Sequence, residues 1–186
     1  MPNFDTSERI KPLLIEEKRP PSEVRRHCRL LSRQLIEQIR PCVPDGSNVL
    51  FIFVLRGAML LYPPFAEEFE NASFCFLYPD TRTVLNCTGY DTAVIVDTVI
   101  ETGKTVISAK NFLEHTDISA KNWAAAAVCA NKTAQEKLSE HFDKVFCLEF
   151  MDNVRVTIDA GEYAVCGDNG IKDENNRKEN FPNENT

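Results

Sequence analysis

The run NVLFIFVL, residues 48–55, holds no charged side chain and, after Asn48, nothing that prefers water. A strand with one wet face alternates apolar and polar residues. A short continuous apolar run bounded by Asn and Gly instead fits a strand buried on both faces, which needs helices above and below it. AVIVD (93–97) is a second such run, and SFCFLY (73–78), KVFCLEF (144–150) and YAVC (163–166) read as further strands. WAAAAVCA (123–130) suits helix or strand by composition, and its position after a helix favours a strand. TVLNC is expected to return as the hairpin partner of SFCFLY.

Helical text lies between these runs. Ser22 is placed to cap a helix running to about Arg40, with Val24, Cys28, Leu31, Leu35 and Ile39 on one face. RGAMLLYPPFAEEFE reads as a turn into a helix restarted at Pro63-Pro64. TGKTVISAKNFLEH places Val106, Ala109 or Lys110, and Leu113 for packing, and TAQEKLSEHF is a fourth helix. Strands alternating with helices predict a single α/β domain built on a mainly parallel sheet with helices on both faces. The domain is expected over 22–170, after an N-terminal arm (1–21) and before a disordered polar tail (171–186, IKDENNRKENFPNENT).

Composition narrows the function. The 186 residues are 43% hydrophobic, enough for one sizeable core. A net charge of -7 and the lack of a Lys/Arg-rich run argue against nucleic acid as a partner. A small anion needs only a local electropositive turn and stays open. No stretch approaches the roughly eighteen apolar residues of a membrane span, and MPNFDTSERIKPLL lacks the apolar core of a secretory signal. The seven cysteines are odd in number, widely spaced and without a CxxC. They fit reduced thiols in a cytoplasmic protein better than a disulfide framework or a zinc site.

The chemistry concentrates in AVIVDTVIETGKT, residues 93–105. A buried strand ends in Asp97, Thr98-Val99-Ile100 follow as a short loop, and a helix begins near Thr102 or Gly103. A helix N-terminus presents unpaired amides and the positive end of its dipole to an anion. Gly103 permits close approach, Thr102 and Thr105 add hydroxyls, and Lys104 adds charge or lies exposed. The last four letters match a P-loop, but its first glycine would fall at Thr98, and Val99-Ile100 suit a wall better than a phosphate cradle. The bland alternative is an ordinary strand–turn–helix with a glycine at the bend.

The stretch resembles the signature of the type I phosphoribosyltransferases: an apolar strand, one or two acids, two apolar residues and a small-rich turn such as T-G-x-T. Here these are Val94-Ile95-Val96, Asp97, Val99-Ile100 and Glu101-Thr102-Gly103-Lys104-Thr105. VLRGAMLL (54–61) resembles the family's pyrophosphate loop, with Arg56-Gly57-Ala58 following a buried strand. Uracil phosphoribosyltransferases look most similar: their pyrophosphate loop is L-R-A-G-like, and they lack the second acid, as this chain does at Thr98. GEYAVCGDNGIKD resembles their base-binding stretch.

The resemblance implies transfer of a ribosyl phosphate from phosphoribosyl pyrophosphate (PRPP) to a nucleobase in nucleotide salvage. Mg²⁺ would be bound to the substrate and touch Asp97 only indirectly. Arg56, Gly57 and Ala58 would grip pyrophosphate, Asp97 would meet the ribose hydroxyls, Glu101 to Thr105 would anchor the 5-phosphate, and Thr98, Val99 and Ile100 would also belong to the PRPP site. Val165, Gly167, Asp168 and Asn169 would read the base, with Asp168 also catalytic between base and sugar. A homo-oligomer, commonly a dimer, is implied as well, with the N-terminal helix as a surface for it. The chain departs from the uracil pattern at Pro79, where an arginine is usual and Arg82 is the substitute, and in a base loop two residues short. Glu101 and the TGKT ending are closer to hypoxanthine-guanine enzymes, in which an acid at that place suits proton transfer. A degenerate, ligand-binding relative is the non-enzymatic alternative. His27, His115 and His141 are expected late in helices as surface or cap residues, and Trp123 is expected in packing.

Overall fold

Six consecutive buried residues, Val49–Val54, form β1 at the middle of the molecule. The computed structural model describes residues 20–78, 89–116 and 118–154. The expected N-terminal arm, the TVLNC hairpin strand, the YAVC strand, the base loop and the polar tail lie outside the described residues.

Helix α1 (Pro21–Ile39) leads through a 3-10 turn (Arg40–Cys42) into β1. A second 3-10 turn (Gly57–Leu60) and α2 (Tyr62–Glu68) follow, with Pro63 and Pro64 in the first turn of the restarted helix. Then come β2 (Ser73–Leu77), β3 (Tyr90–Ile100), α3 (Lys104–Glu114), β4 (Ala120–Asn131), α4 (Lys132–His141) and β5 (Lys144–Met151). All neighbouring strands are parallel, in the order β2-β1-β3-β4-β5. WAAAAVCA is therefore strand. Among the described residues no helix is long and apolar enough to cross a membrane.

Both faces of the sheet are covered. Odd-numbered β1 residues Val49, Phe51 and Phe53 join Val24, Cys28, Leu31, Leu35 and Ile39 of α1 and Phe65 of α2. Leu50, Ile52 and Val54 point the other way, to Val106, Ala109 and Leu113 of α3 and Leu138 of α4. This two-sided burial is why β1 shows no alternation in its text. Cys28, Cys75 and Cys129 are buried, while Cys42 and Cys147 are partly exposed.

Three local expectations need correction. Ser22 does not cap α1: Pro20 precedes the helix, Pro21 opens it, and the Pro20 carbonyl accepts from the Glu23 and Val24 amides. A proline at the first helical position needs no donor of its own, so it competes well with a capping serine. His27 falls in the second turn of α1 rather than late in it, whereas His115 and His141 do sit at helix ends. Thr98-Val99-Ile100 are strand, not loop: β3 runs to Ile100, with Val99 beside Cys129 and Ile100 beside Ala130. Long β4 supplies a hydrogen-bonding partner that these residues take in preference to a loop.

Candidate functional site

In a parallel sheet of this order the chain leaves β1 toward one face and β3 toward the other, which opens a crevice at their carboxyl ends. Both singled-out turns lie there. After β1, the Leu55 amide donates to the Leu77 carbonyl at 2.8 Å, the Leu55–Arg56 peptide is cis, and Arg56 stands exposed. Gly57 lies against β3: a Cβ built on it would meet Thr98 Oγ1 at 2.6 Å. The methyl of Ala58 is fully buried in the α1–α2 layer.

After β3, the chain bends over 101–103 and enters α3 through Gly103, whose φ of 75° is a left-handed value that favours glycine. Leu138 of α4 packs beneath, 3.3 Å from where a Gly103 Cβ would be. Thr102 Oγ1 accepts from the Lys104 amide at 3.4 Å, a long contact. The first-turn amides of α3 have no partner within the helix and face the region beyond the strand end.

A cavity of about 520 Å³ occupies that region. Its walls are Asp97, Val99 and Ile100 of β3, the turn 101–105, Val106, and Val154 beyond β5. Its size is in the range that takes a small-molecule ligand. Asp97 Oδ1 accepts from the Thr98 amide at 2.7 Å. Burial nevertheless pushes the Asp97 carboxyl up to about 7, and the bonds from the Thr98 and Val99 amides offset only part of that cost.

The sequence candidates divide on this geometry. Asp97, Val99, Ile100, Glu101, Thr102, Gly103, Lys104 and Thr105 share the cavity. Thr98 does not line it: it is 5% exposed, its side chain lies on Gly57 and its carbonyl accepts from the Cys129 thiol at 3.8 Å. Arg56, Gly57 and Ala58 do not line the cavity; of the three, Gly57 lies against Thr98 of β3. Val165, Gly167, Asp168 and Asn169 lie outside the described residues. Trp123 is buried, with Lys110 Nζ 5.7 Å from its ring centre, so it packs as expected.

Sequence reading missed Val154 and Asn131. Asn131, the last residue of β4, accepts from the Val154 amide at 2.6 Å and fixes the chain after β5 beside the cavity. A lone polar residue closing the apolar run of β4 was the available signal. Among the described residues no group of three or more His, Cys, Asp or Glu gathers to hold a metal.

No protein-family model matches the sequence, and no curated protein matches it as a relative. Solved structures do match the chain trace. Orotate phosphoribosyltransferase from Aeropyrum pernix aligns at TM-score 0.53 and 14% identity, covering 67% of this chain and 71% of that one. The adenine enzyme of Giardia lamblia, in complex with 9-deazaadenine, aligns at 0.53 and 12%, covering 70% and 84%. Purine phosphoribosyltransferase from Pyrococcus horikoshii aligns at 0.51 and 19%, covering 71% and 85%. The chain has the type I phosphoribosyltransferase fold. Within the phosphoribosyltransferase fold the 101–105 turn follows the middle strand of the five, and the 56–58 turn follows its neighbour. The expectation of one α/β domain with helices on both faces holds.

Proposed function

We propose that this chain binds PRPP, as its magnesium complex, across the carboxyl ends of β1 and β3 and transfers the phosphoribosyl group to a nucleobase, releasing pyrophosphate. One observation carries the reading: the turn after β1 meets β3 at Gly57 and Thr98, beside the half-buried Asp97 carboxyl and a 520 Å³ cavity.

The roles follow from the groups present. The amides and hydroxyls of the 101–105 turn hold the 5-phosphate, where the dipole of α3 adds positive potential. Asp97, at the root of that turn, engages the ribose hydroxyls. Arg56 and the adjoining amides take charge developing on the pyrophosphate as its bond to ribose breaks, a task suited to a guanidinium fork. Magnesium would be carried by the substrate, and Asp97 and Glu101 are the carboxyl groups of the cavity wall that would face it. Catalysis is then mainly positioning and electrostatic stabilisation of a positively charged sugar.

Uracil is the base we favour, on the L-R-G-A text and on the threonine at 98, and salvage of pyrimidine in the cytoplasm is the matching role. Asp168 and its neighbours are proposed to read that base. A second reading, a hypoxanthine or guanine enzyme, is favoured by Glu101, whose place in the cavity wall suits a general base for a purine nitrogen. Self-association as a dimer belongs to the same proposal. The apolar face of α1 is spent on its own sheet, so it offers its polar face to such a contact.

The test is thermal stability with Mg²⁺ and PRPP, for the chain as written and for Asp97→Asn combined with Thr102→Val. Saturation at about a hundred times the dissociation constant adds roughly 2.7 kcal/mol to the native state. The upward shift is expected in the parent and not in the double variant. Pyrophosphate release is then measured with uracil, hypoxanthine, guanine, adenine and orotate. An equal shift in both proteins overturns the site. A shift with no turnover of any base leaves binding and removes the transferase.

A further inference from the structure

At the opposite end of the sheet a second cavity, of about 130 Å³, opens between the end of α1 and the starts of β3, β4 and β5. Ile39, Val43, Trp123 and Phe146 make its walls apolar. Cys42 and Lys144 also line it, and both reach solvent. Lys144 Nζ donates to Cys42 Sγ at 3.1 Å, across 102 residues of chain. The acid next to Lys144 does not compete for it, since Asp143 Oδ2 accepts from the Trp123 amide at 2.8 Å.

The other described cysteines are placed differently. Cys28, Cys75 and Cys129 are buried. Cys147 donates to the Glu149 carbonyl at 3.1 Å. Cys42 is thus an accessible thiol with a nitrogen nucleophile in contact, and nothing in the PRPP reading uses either residue.

We propose that Cys42 is an oxidation site at which Lys144 captures the oxidised sulfur, cross-linking the 3-10 turn after α1 to the start of β5. The co-reactant is a hydroperoxide. Attack of the Cys42 sulfur on the peroxide breaks its O–O bond and gives a sulfenic acid and, from hydrogen peroxide, one water. Lys144 loses a proton to solvent, and the lone pair of its free amine then attacks Sγ. The S–N bond forms, the S–O bond breaks, and the departing hydroxide takes a second amine proton as water. The product is a sulfenamide lighter than the starting pair by two hydrogen atoms, and a thiol reductant returns it to Cys and Lys. The link closes the edge of the 130 Å³ cavity and ties α1 to the sheet.

The test treats the full chain with one equivalent of hydrogen peroxide and maps its peptides by tandem mass spectrometry, with dimedone added in parallel to trap sulfenic acid. Expected are a linked peptide pair joining Cys42 to Lys144, resistance of Cys42 to dimedone, and a rise in melting temperature that a thiol reverses. Cys42→Ser should give no such pair. Lys144→Arg keeps the charge but not the nucleophile, and should stop at a dimedone-labelled Cys42. Equal labelling of Cys42 in the parent and in Lys144→Arg, with no linked pair in either, overturns the proposal.

Discussion

Gly57 and Thr98 interlock: the space a Gly57 Cβ would need is held by Thr98 Oγ1, 2.6 Å from the ideal position. The contact joins the turn after β1 to β3, so both candidate phosphate turns are held as one unit. It also accounts for a threonine where the family signature often has a second acid, because a carboxylate there would be buried on a glycine backbone without a partner.

Gly57→Ala is expected to destabilise the protein by about 1–3 kcal/mol, the usual cost of overpacking. Thr98→Ala removes the obstructing oxygen, so the double variant should lose less than the sum of the two single losses. Urea denaturation of the four proteins measures this. Strict additivity would mean that the two turns are not coupled through this contact.

Asp97→Asn should stabilise the fold while disabling the site. The folded carboxyl titrates at about 7, against an ordinary 3.8, so the native state holds a proton that the unfolded state has released. Stability therefore falls as pH rises from about 4 to 7 and is flat above, with a cost of at most about 4 kcal/mol. An amide carries no such cost. The variant should melt above the parent at pH 8, by a margin that shrinks toward pH 4.5. A constant difference across that range would refute the upward shift of the Asp97 carboxyl.

Gly103→Ala should cost roughly 1–2 kcal/mol for the left-handed φ alone, and more for the contact with Leu138 at 3.3 Å. Gly46→Ala is the control, since its φ is 80° with no heavy atom within 4 Å. Thermal melts should rank Gly103→Ala as the more damaging. Equal losses would assign the whole effect to backbone conformation.

Ser32→Ala tests how α1 steadies the turn after β1. Ser32 is fully buried and its hydroxyl donates at 2.7 Å to the Leu61 carbonyl, just past the 3-10 turn. Losing that donor leaves a buried carbonyl without its hydroxyl partner, for about 1–3 kcal/mol. Amide exchange over 57–61 should quicken in the variant. Unchanged exchange there would show that the serine serves only α1.

The buried runs made the sheet legible, since a strand covered on both faces leaves no other use for VLFIFV. The apolar stripe of α1 was legible for a similar reason, one residue per turn from Val24 to Ile39. The end of β3 was not. Val99 and Ile100 are apolar in a loop wall as in a strand, and only the length of β4 beside them decides. Asp97 and the 101–105 turn were legible because acid, glycine and threonines fall at fixed offsets from a buried strand. The Gly57–Thr98 contact was not, because it joins residues 41 positions apart through an atom that glycine lacks.

The parallel pairing of β1 with β3 has a geometric consequence. Adjacent strands stand about 4.8 Å apart, a spacing set by main-chain hydrogen bonds and not by side chains. The separation between the turns that follow β1 and β3 is thus a ruler made of backbone, indifferent to most substitutions. Residues at the rim can change freely without altering that span. A chain sharing only 12–19% of its residues with the compared structures can therefore keep the same gauge.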